Sequence, residues 1–175
     1  MALMPMTQTR RTIKAHLSAP AIRELTPAEC EKILTRNHVG RVAFSFHDHV
    51  DLEPIQYVHA RGWLHGRTAP GAKVAILQHH PWVAFEVDEV DGLFDWRSVV
   101  VHGAVYMPDP NGSPAERDAY TETLDYVREL VPAALRPADP SPERYLPFRI
   151  HIDTMTGRAA EPVSRNLTSK TRRRR

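Results

Sequence analysis

The chain is short of cysteine, of long apolar runs and of acidic residues at its two ends, and each shortage excludes something. One cysteine in 175 residues, Cys30, excludes an internal disulfide framework and any cysteine-based zinc cluster. No stretch reaches the roughly 18 consecutive apolar residues that a membrane-crossing helix needs. Met1 to Lys14 lacks the apolar centre and small-residue cleavage site of a secretory signal, so the cytoplasm is the expected compartment. The hydrophobic share of 42% and charged share of 25% are those of an ordinary globular domain, and the length suits one such domain.

The charge is unevenly spread. The net charge is +2, from 23 Lys and Arg against 21 Asp and Glu. Nine of those cations lie at the ends: Arg10, Arg11 and Lys14, then Arg165, Lys170 and Arg172 to Arg175, with no acidic residue among them. Removing these nine leaves 14 cations against the same 21 anions, a body of −7. A nucleic-acid-binding domain carries its basic patch on the fold itself, so a nucleic-acid partner is not expected beyond a contact through the tail. Residues 1–21 read as a flexible arm, 22–160 as the domain, and 161–175 as a basic, solvated tail.

Within the domain, periodicity marks the elements. Thr26-Pro27-Ala28-Glu29 is a capping box with proline at the first helical position. Cys30, Ile33 and Leu34 follow at helical spacing, which makes Cys30 an inert packing residue. From Arg41 the period becomes two: Val42, Phe44 and Phe46 alternate with Arg41, Ala43 and Ser45. After a turn at His47-Asp48-His49 comes a strand from Asp51 to Ala60, in which Pro54 marks an edge or an opened pairing. Further strands run over Trp63 to Gly66, Pro81 to Val90 and Trp96 to Met107. A short helix holds Val74, Ile76 and Leu77, and Ser113-Pro114-Ala115-Glu116 caps a longer one that ends at Pro132. A last strand places Phe148, Ile150 and Ile152 on one face and closes at Thr156-Gly157-Arg158. Six strands joined by short connections, with three helices at the edges, predict an α+β fold built on a closed or partly closed antiparallel barrel.

The stretch richest in chemistry is His65-Gly66-Arg67-Thr68-Ala69-Pro70-Gly71-Ala72-Lys73, at a strand-to-helix junction. A phosphate monoester carries roughly −1.5 to −2 charges near neutral pH. A bidentate donor such as Arg67, a point cation such as Lys73 and small residues that admit the backbone suit such a group. A helix starting after Gly71 adds its N-terminal amides. The spacing is not that of a P-loop, and a polar surface loop with solvated charges has the same composition.

The order of landmarks resembles a known family. Val39-Gly40-Arg41-Val42-Ala43-Phe44, Pro54-Ile55-Gln56-Tyr57-Val58, Leu64-His65-Gly66 through Lys73, Pro81 to Asp88 and Arg97 to Gly103 follow one another as in the pyridoxamine 5′-phosphate oxidase-like, FMN-binding split-barrel proteins. The nitroimidazole-resistance type is the most similar branch, although Arg158 stands where that branch usually has lysine. The resemblance covers roughly residues 22–158 and implies a six-stranded antiparallel split barrel with peripheral helices. It also implies an FMN cofactor and a homodimer with the flavin between subunits. Arg67, Thr68 and Lys73 would hold the phosphate, beside Gly66. Pro54, Ile55, Gln56 and Tyr57 would run along the isoalloxazine ring, and Ser98 and Val99 would approach from the neighbouring strand. His65 takes the position of that branch's characteristic histidine, the candidate catalytic residue. The implied activity is reduction of a small organic acceptor, nitroaromatic- or quinone-like. The same barrel binding a deazaflavin or haem, or a non-enzymatic flavin carrier, is the alternative.

No metal site is expected. His47 and His49 flank Asp48 at a hairpin turn where polar residues belong anyway, and His79-His80 sit at a helix end. His102 alternates with Ser98 and Val100 and reads as a packed or hydrogen-bonded strand residue. No acid pair and no nucleophile beside a base occurs in any one segment, and a flavoenzyme needs neither.

Overall fold

The computed structural model describes residues 21–161, so the arm expected over 1–21 and the tail over 161–175 lie outside the described residues except for Ala21 and Glu161. In chain order the elements are β1 (Ala21–Glu24), α1 (Pro27–Arg36), β2 (Val39–Phe46), β3 (His49–Ala60), β4 (Trp63–Thr68), α2 (Ala72–His79), β5 (Trp82–Gly92), β6 (Asp95–Tyr106), α3 (Pro114–Leu130), β7 (Leu146–His151) and β8 (Thr154–Glu161).

All pairings are antiparallel, in the order β1-β8-β6-β5-β2-β3-β4-β7, and a further β6–β7 pairing closes the ring. The closed ring is therefore β6-β5-β2-β3-β4-β7, the six-stranded barrel expected, with β8 and β1 as a flap carried on β6. Strand β6 serves both parts. Its first half pairs with β8 from Trp96 to His102, and its end pairs with β7 at Val105 and Tyr106. Gly103 sits at the changeover, where an added Cβ would fall 1.7 Å from the carbonyl oxygen of His151. Only a glycine lets the β7–β8 corner pass that close.

Two strands escaped the sequence reading. All four residues of β1 are exposed, so no alternation announces it. Strand β8 looked like the tail of β7. The chain turns at Ile152 and Asp153, whose amides donate to Gly62 and His102, and then pairs with different neighbours.

Alternation explains the core. Val42 and Phe44 of β2, Ile55 and Tyr57 of β3, Phe85 and Val87 of β5, and Val99 and Val101 of β6 all point inward and are buried. Each such side chain contributes roughly 1.5–3 kcal/mol. Helix α1 lays Cys30, Ile33 and Leu34 on the flap, and the capping box forms as its sequence requires. Thr26 Oγ1 accepts from the Glu29 amide at 3.3 Å, and the Thr26 amide donates to Glu29 Oε2 at 2.8 Å. Pro54 lies opposite Arg41 of β2, while β3 gains its second neighbour, β4, only from Tyr57 onward. The opened pairing is thus on the side where proline has no amide to offer.

Candidate functional site

Strand β4 divides the expected site in two. Gly66 and Thr68 face the barrel interior, where Thr68 joins Lys73, Ile55 and Phe148 around a small hollow. His65 and Arg67 face the opposite way, beneath α3 and the proline-rich connection that follows it. A period of two sends neighbouring residues to opposite faces, and this separates Arg67 from Thr68.

On the interior side, Gly66 is required by contact: an added Cβ would lie 2.5 Å from the Phe148 ring and 2.9 Å from the Gln56 carbonyl oxygen. Thr68 is buried, and its hydroxyl donates to the adjacent carbonyl of Ala69 at 3.3 Å. Lys73, in the first turn of α2, places Nζ 2.6 Å from Glu53 Oε2. Helices α1 and α3 both begin with capping boxes and an acidic first turn, whereas α2 begins at Gly71 with no side-chain cap and no acidic residue in its first turn. The leading amides of a helix are unsatisfied donors carrying a partial positive charge. Those of α2 meet no protein acceptor from the cap position, and the nearby cation is Lys73. This corner suits a phosphate. The hollow is only about 10 Å³ in the present arrangement, so no flavin ring enters it.

On the other side, Arg67 grips Asp139 with both nitrogens, Nη1–Oδ2 2.5 Å and Nη2–Oδ1 2.9 Å. Both side chains are buried, 5% and 3% exposed. Asp139 also accepts from the amides of Leu135 and Ser141, and the Arg67 guanidinium beside it holds its carboxyl well below the usual carboxylate range. The expectation that Arg67 and Lys73 close on one phosphate is therefore corrected. Arg67 is already committed to a carboxylate on the far face of its strand. His65 is 1% exposed, with Nδ1 3.2 Å from Thr123 Oγ1 and its ring 4.6 Å from that of Tyr126. Burial lowers its pKa from 6.5 to about 4, so the imidazole is neutral at pH 7. It lies under α3 and does not share the hollow with Thr68 and Lys73.

The remaining expected residues are scattered. Ile55 and Tyr57 are core, Tyr57 stacking edge-on to Phe85 at 4.8 Å, while Pro54 and Gln56 are exposed. Gln56 Oε1 accepts from Arg144 at 3.3 Å. Val99 is fully buried, whereas Ser98 looks outward, donates to Glu86 at 2.9 Å and lines a groove of about 540 Å³ with Trp96, Met155 and Arg158. No metal-sized cluster of ligating side chains exists among the described residues. Likewise no described helix is long and apolar enough to cross a membrane.

Sequence reasoning missed Asp139, Thr123 and Glu53. Asp139 lies in an aperiodic proline-rich segment, where no spacing signals a partner. Thr123 is a polar residue within α3, and its type gives no sign of its full burial. Glu53 was detectable: it shares the phase of Ile55 and Tyr57, a carboxylate at an inward-facing position.

Fold and site together define an antiparallel split barrel in which Thr68, Lys73 and the uncapped start of α2 meet where a strand enters a helix. The profile of the family described as pyridoxamine 5′-phosphate oxidase matches residues 26–159, and the chain belongs to that family. An uncharacterized protein of Rhizobium meliloti is 27% identical over 144 residues, 79% of this chain and 95% of that protein. In structure, an FAD-binding protein from Mesorhizobium loti matches with a TM-score of 0.65 and 27% identity, over 80% of this chain and 99% of that one. A candidate 5-nitroimidazole antibiotic resistance protein from Bacteroides thetaiotaomicron shares the fold at a TM-score of 0.60 and 14% identity, over 82% and 91% of the two chains.

Proposed function

We propose that this protein binds a flavin nucleotide, FMN, by its phosphate at the start of α2 and works as an oxidoreductase on a small organic acceptor. The observation that carries the reading is the uncapped N-terminus of α2, with Lys73 and Thr68 beside it, in a barrel of this family. The FAD-binding neighbour supports a flavin, and FMN and FAD present the same first phosphate and the same ring. Lys73 neutralises the phosphate as a point charge, the α2 amides donate to its oxygens, and the Thr68 hydroxyl turns from Ala69 toward it. When bound, the flavin supplies the redox chemistry, and the protein supplies position and electrostatics.

The hollow is too small for the flavin ring, so the residues that would hold the ring are those on the outside of the barrel. The outer face of β2, β3 and β5 is unusually apolar there: Val50 is 73% exposed, Leu52 64% and Trp82 70%. Such a patch on one chain is a surface for a partner, and a homodimer covers it while sheltering the ring from water. Neutral His65, held by Thr123, keeps β4 under α3, so that Gly66 and Thr68 stay in register with Phe148.

The purified protein is expected to show flavin absorbance, and chromatography of the acid-released cofactor separates FMN from FAD. Lys73→Ala is expected to weaken FMN binding about ten- to a hundredfold, the loss of one charge-assisted contact. A colourless protein that binds no added FMN rejects the cofactor assignment. Oxidation of reduced nicotinamide cofactor with nitroaromatic or quinone acceptors, above the rate of free flavin, tests the enzymatic part.

A further inference from the structure

Glu53 sits at a position the strand pattern reserves for the core. In β3 it shares the inward phase of Ile55 and Tyr57, and its register partner in β2 is Val42, which is 3% exposed. A carboxylate on that phase is costly unless a cation meets it. Lys73 does, with Nζ 2.6 Å from Oε2. The two side chains are unequally held: that of Lys73 is 16% exposed and that of Glu53 42%. Glu53 has no other hydrogen-bond partner among the described residues and has a route to solvent. Among the described residues no second carboxylate lies within ion-pair distance of Lys73, and α2 supplies no acid of its own in its first turn. The hollow beside this pair is smaller than a phosphate.

We propose that Glu53 is a built-in competitor for the anion site: its carboxylate occupies Lys73 in the unliganded protein and must swing out before a ligand's phosphate can bind. This rests on the reading of the Lys73 corner as the phosphate site. The device sets affinity and selectivity together. A weakly bound monoanion gains little by displacing a carboxylate from one lysine. A phosphate near its second ionisation gains Lys73 and the α2 amides at once. Displacement breaks one partly exposed ion pair and leaves Glu53 near a dianion, so the competition lowers phosphate affinity about three- to tenfold.

The test uses the full chain freed of cofactor, with FMN and riboflavin as probes; riboflavin has the ring without the phosphate. Glu53→Gln keeps the shape of the side chain and removes its charge. The expected result is that E53Q binds FMN about three- to tenfold more tightly than the unmodified protein, with riboflavin affinity unchanged, and that the gain disappears when Lys73→Ala is added. Equal melting temperatures for E53Q and the unmodified protein confirm that both are folded. If the unmodified protein prefers FMN over riboflavin but E53Q shows no gain, the competitor role is overturned and the phosphate site stands. If the unmodified protein does not distinguish FMN from riboflavin, the phosphate site falls, and the role of Glu53 falls with it.

Discussion

Two cations six residues apart, Arg67 and Lys73, each pair with a carboxylate, and the two pairs do opposite things. Arg67–Asp139 is bidentate, buried on both sides and reinforced by two backbone amides. Lys73–Glu53 is a single contact with one partner nearly half exposed. The first ties β4 to the connection after α3, with both terminal nitrogens of Arg67 engaged and its Nε buried without a partner among the described residues. The second joins two groups that can part. Charge and spacing in the sequence make Arg67 and Lys73 look alike. What distinguishes them is which face of the strand each leaves from, and what waits there.

The sharpest way to break the comparison is to remove one acid from each pair. Asp139→Ala strands a buried guanidinium and frees the loop that Asp139 organises. The expected fall in melting temperature is on the order of 10 °C or more, followed by thermal unfolding. Glu53→Ala, by contrast, is expected to move the melting temperature by no more than about 3 °C. Similar losses from both substitutions would mean that the two pairs are equally structural.

Acid probes the buried side without mutation. His65 titrates near 6.5 when unfolded and about 4 when folded, so the folded state takes up its proton less readily. Its stabilising contribution is therefore complete above pH 6.5 and is lost as the pH falls toward 4, up to about 3 kcal/mol. Denaturant unfolding measured across that window is expected to show this slope. His65→Gln, which keeps a partner for Thr123, is expected to flatten it.

The ligand side is sharpened at Gly71, where an added Cβ meets nothing within 4 Å. Gly71→Asp supplies the cap that α2 lacks. It is expected to raise stability by a few tenths of a kcal/mol at most and to weaken FMN binding about three- to tenfold, because the new carboxylate takes the amides the phosphate would use. Isothermal titration alongside thermal melts separates the two effects. Unchanged FMN affinity would place the phosphate elsewhere.

Much of the barrel was legible because its signals are local. Alternation over Arg41 to Phe46, two capping boxes and the turn at His47-Asp48-His49 each depend on residues close in sequence. Strand β1 was illegible because a short edge strand with all four side chains in solvent has no inward face to betray it. Of the site, Thr68 and Lys73 were read together and meet at the same hollow. Arg67 was grouped with them because adjacency in sequence was taken for adjacency in space, which a strand reverses at every step. Asp139 lies 72 residues from Arg67, and no pattern over that distance joins them.

By itself the sequence determined the helix starts and the phase of the principal strands, and it placed two cations, a hydroxyl and two glycines together between His65 and Lys73. These follow from backbone sterics and from which groups satisfy neighbouring amides. The tertiary structure alone decided that β6 and β7 close the ring, that Arg67 belongs to Asp139, and that Glu53 faces Lys73. Each is a pairing between residues distant along the chain, chosen by which surfaces the closed barrel brings within reach of a hydrogen bond.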